Sequence, residues 1–219
     1  EGLVSVYSST TLTLNSFSYV NMTGSGVLTV HSTLNVENDA VIDTVLPLVI
    51  DSSGYVHYLA GPATPHNITA ITIAPTASSS AKLFVDASIV LNIGETLSHE
   101  GPAGSLVQVH GRLNVHTLLL NGAGSTGLRM LLDATLAVVQ ITDSFIWSNG
   151  DITGNANAAV LSELETEIYG STHKLTGLTL ELDGNTTWSS GQINMDTSTI
   201  RVLSGAEFNV PIDVVGDLL

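Results

Sequence analysis

Residues 146–152 read Ile-Trp-Ser-Asn-Gly-Asp-Ile, and residues 187–193 read Thr-Trp-Ser-Ser-Gly-Gln-Ile. Trp occurs only twice in the 219 residues, and Trp188 follows Trp147 by 41 positions. Recurrence of a phrase around so rare a residue is typical of a repeat architecture. We therefore predict that the two tryptophans occupy equivalent places two coils apart, about 10 Å apart along a solenoid axis, each before a turn at the glycine of its phrase.

Other phrases indicate the coil length. Val30–Val36 is echoed by Val109–Val115, 79 positions later, and the core of that phrase returns at Leu91–Ile93 and Phe208–Val210. The step of 22 from Leu91 to Leu113 suits one coil, 41 suits two and 79 nearly four. We predict coils of roughly 20–22 residues with three short strands each. About ten coils stacked roughly 4.8 Å apart would make a solenoid roughly 50 Å long.

Short alternating strands followed by Gly, Asn, Asp or Ser fill most of the sequence, which predicts an all-β chain. Examples are Thr11–Leu14, Val27–Val30, Ile71–Ile73, Leu178–Leu182 and Ile200–Leu203. We expect a parallel β-helix, right-handed by the crossover rule, forming a single β-solenoid domain over residues 1–219. A helical turn or two within Ala156–Glu167 is the competing local pattern.

Alternation along a strand also predicts which side chains face the core. The apolar flanks of the repeated phrase should point inward: Leu34, Val36, Leu91, Ile93, Leu113, Val115, Phe208 and Val210. The asparagines between them should point outward: Asn35, Asn92, Asn114 and Asn209.

Composition excludes several classes of protein. Charged residues make up 11% of the chain, against about 25% in ordinary soluble domains. Five basic residues face 20 acidic ones, for a net charge of −15, so nucleic acid is a poor partner. The chain has no Cys, hence no disulfide or thiolate site, and no apolar run approaches the roughly 18 residues of a membrane span. Because it opens at Glu1 without an initiator Met, we expect a mature product or a segment of a longer chain.

The Trp-Ser-x-Gly-x-Ile phrases, followed by Gly205-Ala206-x-Phe208-x-Val210, resemble the repeats of large secreted β-helical surface proteins. These are the filamentous-haemagglutinin and autotransporter-passenger kinds, and similar repeats of extracellular proteins from protists and algae. The resemblance implies an elongated surface or filament protein, and it carries over no functional residue. We therefore expect a structural or adhesive extracellular protein, the rigid building block of a cell-surface appendage or secreted filament. No catalytic, cofactor-binding or metal-binding residue is predicted.

The alternative is a carbohydrate-active β-helix enzyme, a polysaccharide lyase or hydrolase. Such enzymes need a cationic side chain, usually with Ca²⁺, or two or three converging carboxylates. Asp39 and Asp43 lie four positions apart, and Glu163, Glu165 and Glu167 alternate, which on one strand gives a solvated acidic stripe. A cleft combining converging carboxylates with Lys or Arg would favour the enzyme. A smooth exterior of Ser, Thr and Asn would favour the structural protein.

Seven histidines raise the question of a metal site. His31 and His110 hold matching places in the repeated phrase, which favours equivalent surface or turn residues. His110 and His116 lie on the same face of a predicted strand but about 20 Å apart, too far to share an ion. We therefore expect structural histidines.

Three sequons, at Asn21, Asn67 and Asn185, permit N-glycosylation in a eukaryotic secretory pathway. Each Asn should then lie in an exposed turn or point outward. Asn185 is best placed, because Asp183-Gly184 before it reads as a turn.

Both ends of the sequence lack the features that protect strand edges. The first coil begins with Leu3–Val6, and Val210–Leu219 is still apolar and strand-like, with no Lys in either segment. Open edges favour further coils, of the same chain or of a neighbouring copy, and in the second case copies of this chain associate end to end into a filament.

Overall fold

The computed structural model describes most of the chain and forms one stack of parallel β-strands. The described residues are 4–6, 11–14, 19–22, 26–37, 41–44, 47–51, 53–59, 65–74, 80–100, 104–121, 129–132 and 137–210. They contain 25 strands and no helix, and each strand pairs in parallel with strands of the neighbouring coils. The predicted all-β parallel solenoid is confirmed, and the helical turn considered within Ala156–Glu167 is replaced by two strands.

Each coil has three faces, which the chain visits in the order A, B, C. Face A consists of β1 Val4–Val6, β4 Leu28–Val30, β7 Leu48–Ile50, β10 Ile71–Ile73, β19 Glu165–Ile168, β22 Asn185–Trp188 and β25 Glu207–Asn209. Face B consists of β2 Thr11–Leu14, β5 Thr33–Val36, β8 Tyr55–Tyr58, β11 Lys82–Val85, β13 Leu106–Val109, β15 Arg129–Leu132, β17 Gly150–Gly154, β20 Thr172–Thr176 and β23 Gln192–Asp196. Face C consists of β3 Tyr19–Met22, β6 Val41–Thr44, β9 His66–Ile68, β18 Ala159–Ser162, β21 Thr179–Leu182 and β24 Thr199–Val202.

Three longer strands bend from face C onto face A: β12 Val90–His99, β14 Arg112–Leu120 and β16 Val138–Trp147. The nine strands of face B show that the described residues make slightly fewer coils than the ten predicted. Coil length also varies. The partner of Tyr55 in the next coil is Lys82, 27 residues on, whereas Lys174 pairs with Asn194 after 20.

The core is a set of apolar columns that run along the solenoid. Leu34, Val56, Leu83 and Val107 follow one another in register on face B, and each is buried. Six of the eight predicted inward residues are buried, and Phe208 is partly buried: Leu34, Val36, Leu91, Ile93, Leu113 and Val115 are the six. Val210, the eighth, is 42% exposed in the last described coil, so burial does not confirm its inward direction. All four predicted outward asparagines are partly or fully exposed.

The tryptophan prediction is confirmed. Trp147 pairs with Ile168, which in turn pairs with Trp188, so the two indoles lie two coils apart in the same column of face A. Each ring is buried, and each indole N–H donates to a carbonyl of the corner that follows, Trp147 to Gly150 at 3.2 Å and Trp188 to Ser190 at 2.9 Å. The recurring phrase therefore encodes one corner of the coil.

The step of 79 residues is not a coil repeat. Val30–Val36 turns the corner from face A to face B, whereas Val109–Val115 turns from face B to face C. Of the repeated phrases, only Leu91–Ile93 and Leu113–Val115 pair in register, one coil apart as predicted. The echo arises because every corner of this chain needs the same pattern, a bend followed by alternating apolar residues.

Gly170 allows a close approach between neighbouring coils. Its φ is +112°, and a Cβ there would lie 1.9 Å from the carbonyl oxygen of Ser148. We expect Gly170→Ala to lower the free energy of unfolding by about 2–4 kcal/mol, the sum of backbone strain and overpacking. Gly205→Ala is the matched control, because φ there is +96° but nothing lies within 4 Å of the added Cβ. Denaturant midpoints measure both, and equal losses would show that the Ser148 contact does not matter.

Candidate functional site

A row of amides runs across the coils on the outside of face C. The side chain of Asn92 donates to Oδ1 of Asn67 at 2.9 Å, and Asn114 donates to Oδ1 of Asn92 at 2.8 Å. Nε of Arg112 donates to Asn114 at 2.9 Å, and its guanidinium also bonds Gln140. The row ties four coils together through side-chain hydrogen bonds.

The described sequon asparagines lie on the surface. Asn67 and Asn185 are exposed, as the outward prediction requires: Asn67 lies between buried His66 and Ile68, and Asn185 precedes buried Thr186. Asn21 lies on β3, paired with Asp43, and its side chain is outside the described part of the structure. Asn185 opens β22 directly after the bend at Gly184.

An acidic groove of about 530 Å³ lies on the outside of face A near the last coils. Its lining residues are Ser144, Ile146, Glu165, Thr166, Glu167, Asn185, Thr187, Glu207 and Asn209. Glu165, Asn185 and Glu207 follow one another in register, so the carboxylates of Glu165 and Glu167 in one coil and of Glu207 two coils on line the same groove. Glu163 does not join them, because it lies in the corner before β19, where its carboxylate accepts a hydrogen bond from Gln140. The predicted three-glutamate stripe is therefore wrong for Glu163.

An enzyme of this kind was expected to combine carboxylates with Lys or Arg in one cleft, and the acidic groove has only the carboxylates. Three carboxylates share it, but all three side chains are exposed, and no Lys or Arg is among the described residues that line it. Arg201 instead pairs with Glu181 on face C at 2.7 Å. Asp39, the other acidic candidate, lies outside the described residues.

A second groove, of about 410 Å³, lies on the outside of face B and was not predicted. This face B groove is lined by Ser53, Tyr55, Ser80, Lys82, Leu83, Phe84, Leu106 and Gln108. The coil from Tyr55 to Lys82 is longer than the predicted repeat, so counting along the sequence does not align these residues. The available signal was the two aromatic residues at outward positions of successive strands.

The histidines do not form a metal site among the residues that the structure describes. His31 and His110 both lie in bends as predicted, but at different corners, so they are not equivalent. His31 lies 3.6 Å from Asp51, and His116 lies 3.6 Å from Asp143. Each contact joins one imidazole to one carboxylate.

Three other histidines are buried in the core: His66, His99 and His173. Burial lowers the pKa of each, and that of His99 falls to about 3. Nε2 of His173 donates to the carbonyls of Trp147 and Tyr169, both at 3.0 Å, whereas neither ring nitrogen of His99 has a partner among the described residues. His173 therefore supports the corner after Trp147, and His99 is a polar group held at a cost in stability.

A scan against family models, a search of curated proteins and a search of solved structures each found no match to this chain. Among the described residues, none forms a helix of the length and apolarity needed to cross a membrane.

Proposed function

We propose that this protein is a structural or adhesive extracellular protein, a rigid β-solenoid building block of a cell-surface appendage or secreted filament, whose copies associate end to end. The observation that carries the proposal is the state of the two ends of the described solenoid. Along the sides the core columns are sealed, but at both ends core-facing apolar residues are open to solvent.

At the first coils, Leu12 lies in register with the buried Leu34, yet it is 41% exposed. At the last coil, Val202 lies in register with the buried Leu182, yet it is 42% exposed. The outer edges of β23, β24 and β25 have no strand partner among the described residues. Unpaired edges around an apolar cross-section are the template for adding another coil by β-augmentation.

The ends can be tested with charged variants. We expect the full-length protein to form oligomers in sedimentation velocity, and Leu12→Lys with Val202→Lys to weaken association at least tenfold, because Lys guards strand edges. Leu164→Lys is the matched control, since Leu164 is 55% exposed on the side wall. A monodisperse wild-type monomer at all concentrations, or equal association by both variants, would contradict the proposal.

The protein is also proposed to be a glycoprotein if its source is eukaryotic, with N-linked sugar on Asn67 or Asn185. Both side chains are exposed on the outer wall, where a glycan meets no core residue. We expect intact mass to fall after glycosidase treatment, and Asn67→Gln or Asn185→Gln to remove that step. Asn92→Gln, an outward Asn outside any sequon, is the control. Eukaryotic material without a mass shift would refute the glycan.

The carbohydrate-active enzyme is the less favoured candidate. The acidic groove offers exposed carboxylates without a cationic partner, and a glycan on Asn185 would occupy that groove. A polyanionic substrate would also meet the repulsion of a chain with net charge −15.

A further inference from the structure

The face B groove combines aromatic rings with polar groups over three consecutive coils. Tyr55, Lys82 and Leu106 form one outward row, and His57, Phe84 and Gln108 form the row beside it. The backbone of every one of these residues is held in the parallel ladder of face B. The groove is therefore a preformed surface and needs no ordering when a ligand binds.

The rings of this surface contact one another, Tyr55 and His57 within one strand, and His57, Phe84 and His110 across neighbouring coils. The ring centroids of Tyr55 and His57 lie 5.4 Å apart, those of His57 and Phe84 4.2 Å, and those of Phe84 and His110 4.8 Å. His57 and His110 meet Phe84 by their edges, with interplanar angles of 89° and 73°. Phe84 is thereby fixed between two imidazoles while remaining partly exposed to the groove.

Polar groups lie beside the rings. Gln108 is hydrogen-bonded to His110 through its nitrogen at 2.9 Å, which orients the amide and turns its oxygen into a positioned acceptor. Ser53 and Ser80 contribute hydroxyls, and the exposed Lys82 is the one charged group among the described lining residues. An aromatic floor with amide and hydroxyl groups at its edge matches a sugar ring, which presents an apolar C–H face and a rim of hydroxyls.

We propose that the face B groove binds a neutral glycan chain that lies along the solenoid axis. Successive coils lie roughly 4.8 Å apart along the axis. This spacing is close to the length of one pyranose unit, so successive sugars meet side chains of successive coils. A neutral chain fits better than a polyanion, because a single Lys does not offset a net charge of −15. Glycan binding rests on the proposed adhesive function and gives that function a ligand class.

The test measures binding of the full-length protein by isothermal titration calorimetry. The probes are neutral hexasaccharides of glucose, mannose, galactose, xylose or N-acetylglucosamine, with polygalacturonate as the polyanion. We expect one neutral series to bind, Phe84→Ala and Tyr55→Ala each to weaken it at least tenfold, and Lys82→Gln to change it less than threefold. Tyr169→Ala, which removes an exposed aromatic ring that lines neither groove, is the matched control and should bind like the wild type.

Three results would overturn the proposal: no binding to any neutral hexasaccharide, equal binding by Phe84→Ala and Tyr55→Ala, or tighter binding of polygalacturonate that Lys82→Gln abolishes. Thermal midpoints of the variants show whether they are folded. If Phe84→Ala does not fold, Gln108→Ala, which removes an outward amide, takes its place in the binding test. Sedimentation of the same variants should match the wild type. Glycan binding and end-to-end assembly can therefore fail independently.

Discussion

Trp147→Ala is expected to lower the free energy of unfolding by about 3–5 kcal/mol, as for other large-to-small changes in a core. Trp147 is fully buried, its ring stacks on Phe145 with centroids 6.0 Å apart, and His173 meets it by an edge at 4.8 Å. Truncation removes those contacts and the indole donor to the Gly150 carbonyl. Denaturant unfolding followed by circular dichroism measures the loss.

Tyr169→Ala is the control for this experiment, because Tyr169 begins the same corner one coil on but is 36% exposed. The free energy of unfolding of Tyr169→Ala should stay within about 0.5 kcal/mol of the wild-type value, as for surface substitutions. Trp147→Phe should fall between the two, since it keeps one aromatic ring but removes the N–H donor and part of the buried indole volume. A Trp147→Ala protein as stable as the wild type would exclude the corner register described above.

Acid is expected to destabilise the protein through His99. Burial lowers the pKa of His99 from 6.5 to about 3. Between these two values His99 is protonated in the unfolded chain but neutral in the folded protein. Stability is therefore complete above pH 6.5 and falls as the pH drops toward 3, by about 1.4 kcal/mol per pH unit. The loss from His99 alone is on the order of 4–5 kcal/mol, and His66 and His173 act in the same direction.

His99→Leu should remove that part of the pH dependence and raise stability at pH 7, because it also replaces two buried nitrogens without partners. His116→Leu is the control, since His116 is exposed. Denaturation midpoints of both variants and the wild type, measured from pH 7 to pH 4, give the pH dependence of each. An unchanged pH slope for His99→Leu would show that His99 is solvated in the folded protein.

The fold was predictable because a coil imposes repeated demands on the sequence. Inward positions such as Leu91 and Leu113 must be apolar in every coil, and the indole of Trp147 or Trp188 must reach its own corner, so these features recur. The same logic misled at His31 and His110, because different corners accept the same residues. At Val210 the alternating pattern predicted an inward side chain, but the residue is 42% exposed, so the pattern did not predict its burial.

The grooves were harder to predict than the core. Outward residues such as Tyr55 and Phe84 are not constrained by packing, and the long coil between Tyr55 and Lys82 moves them out of any fixed repeat. Glu207 joins the acidic groove only through the register of β22 and β25. The sequons, by contrast, are local in sequence, and Asn67 and Asn185 were correctly placed on the exterior.

Electron microscopy of the native protein from its source is the most direct test of end-to-end assembly. We expect elongated particles in which coils continue from one copy into the next, with an axial repeat of roughly 4.8 Å throughout. Discrete particles no longer than a single solenoid, with both terminal coils covered by a cap, would contradict it.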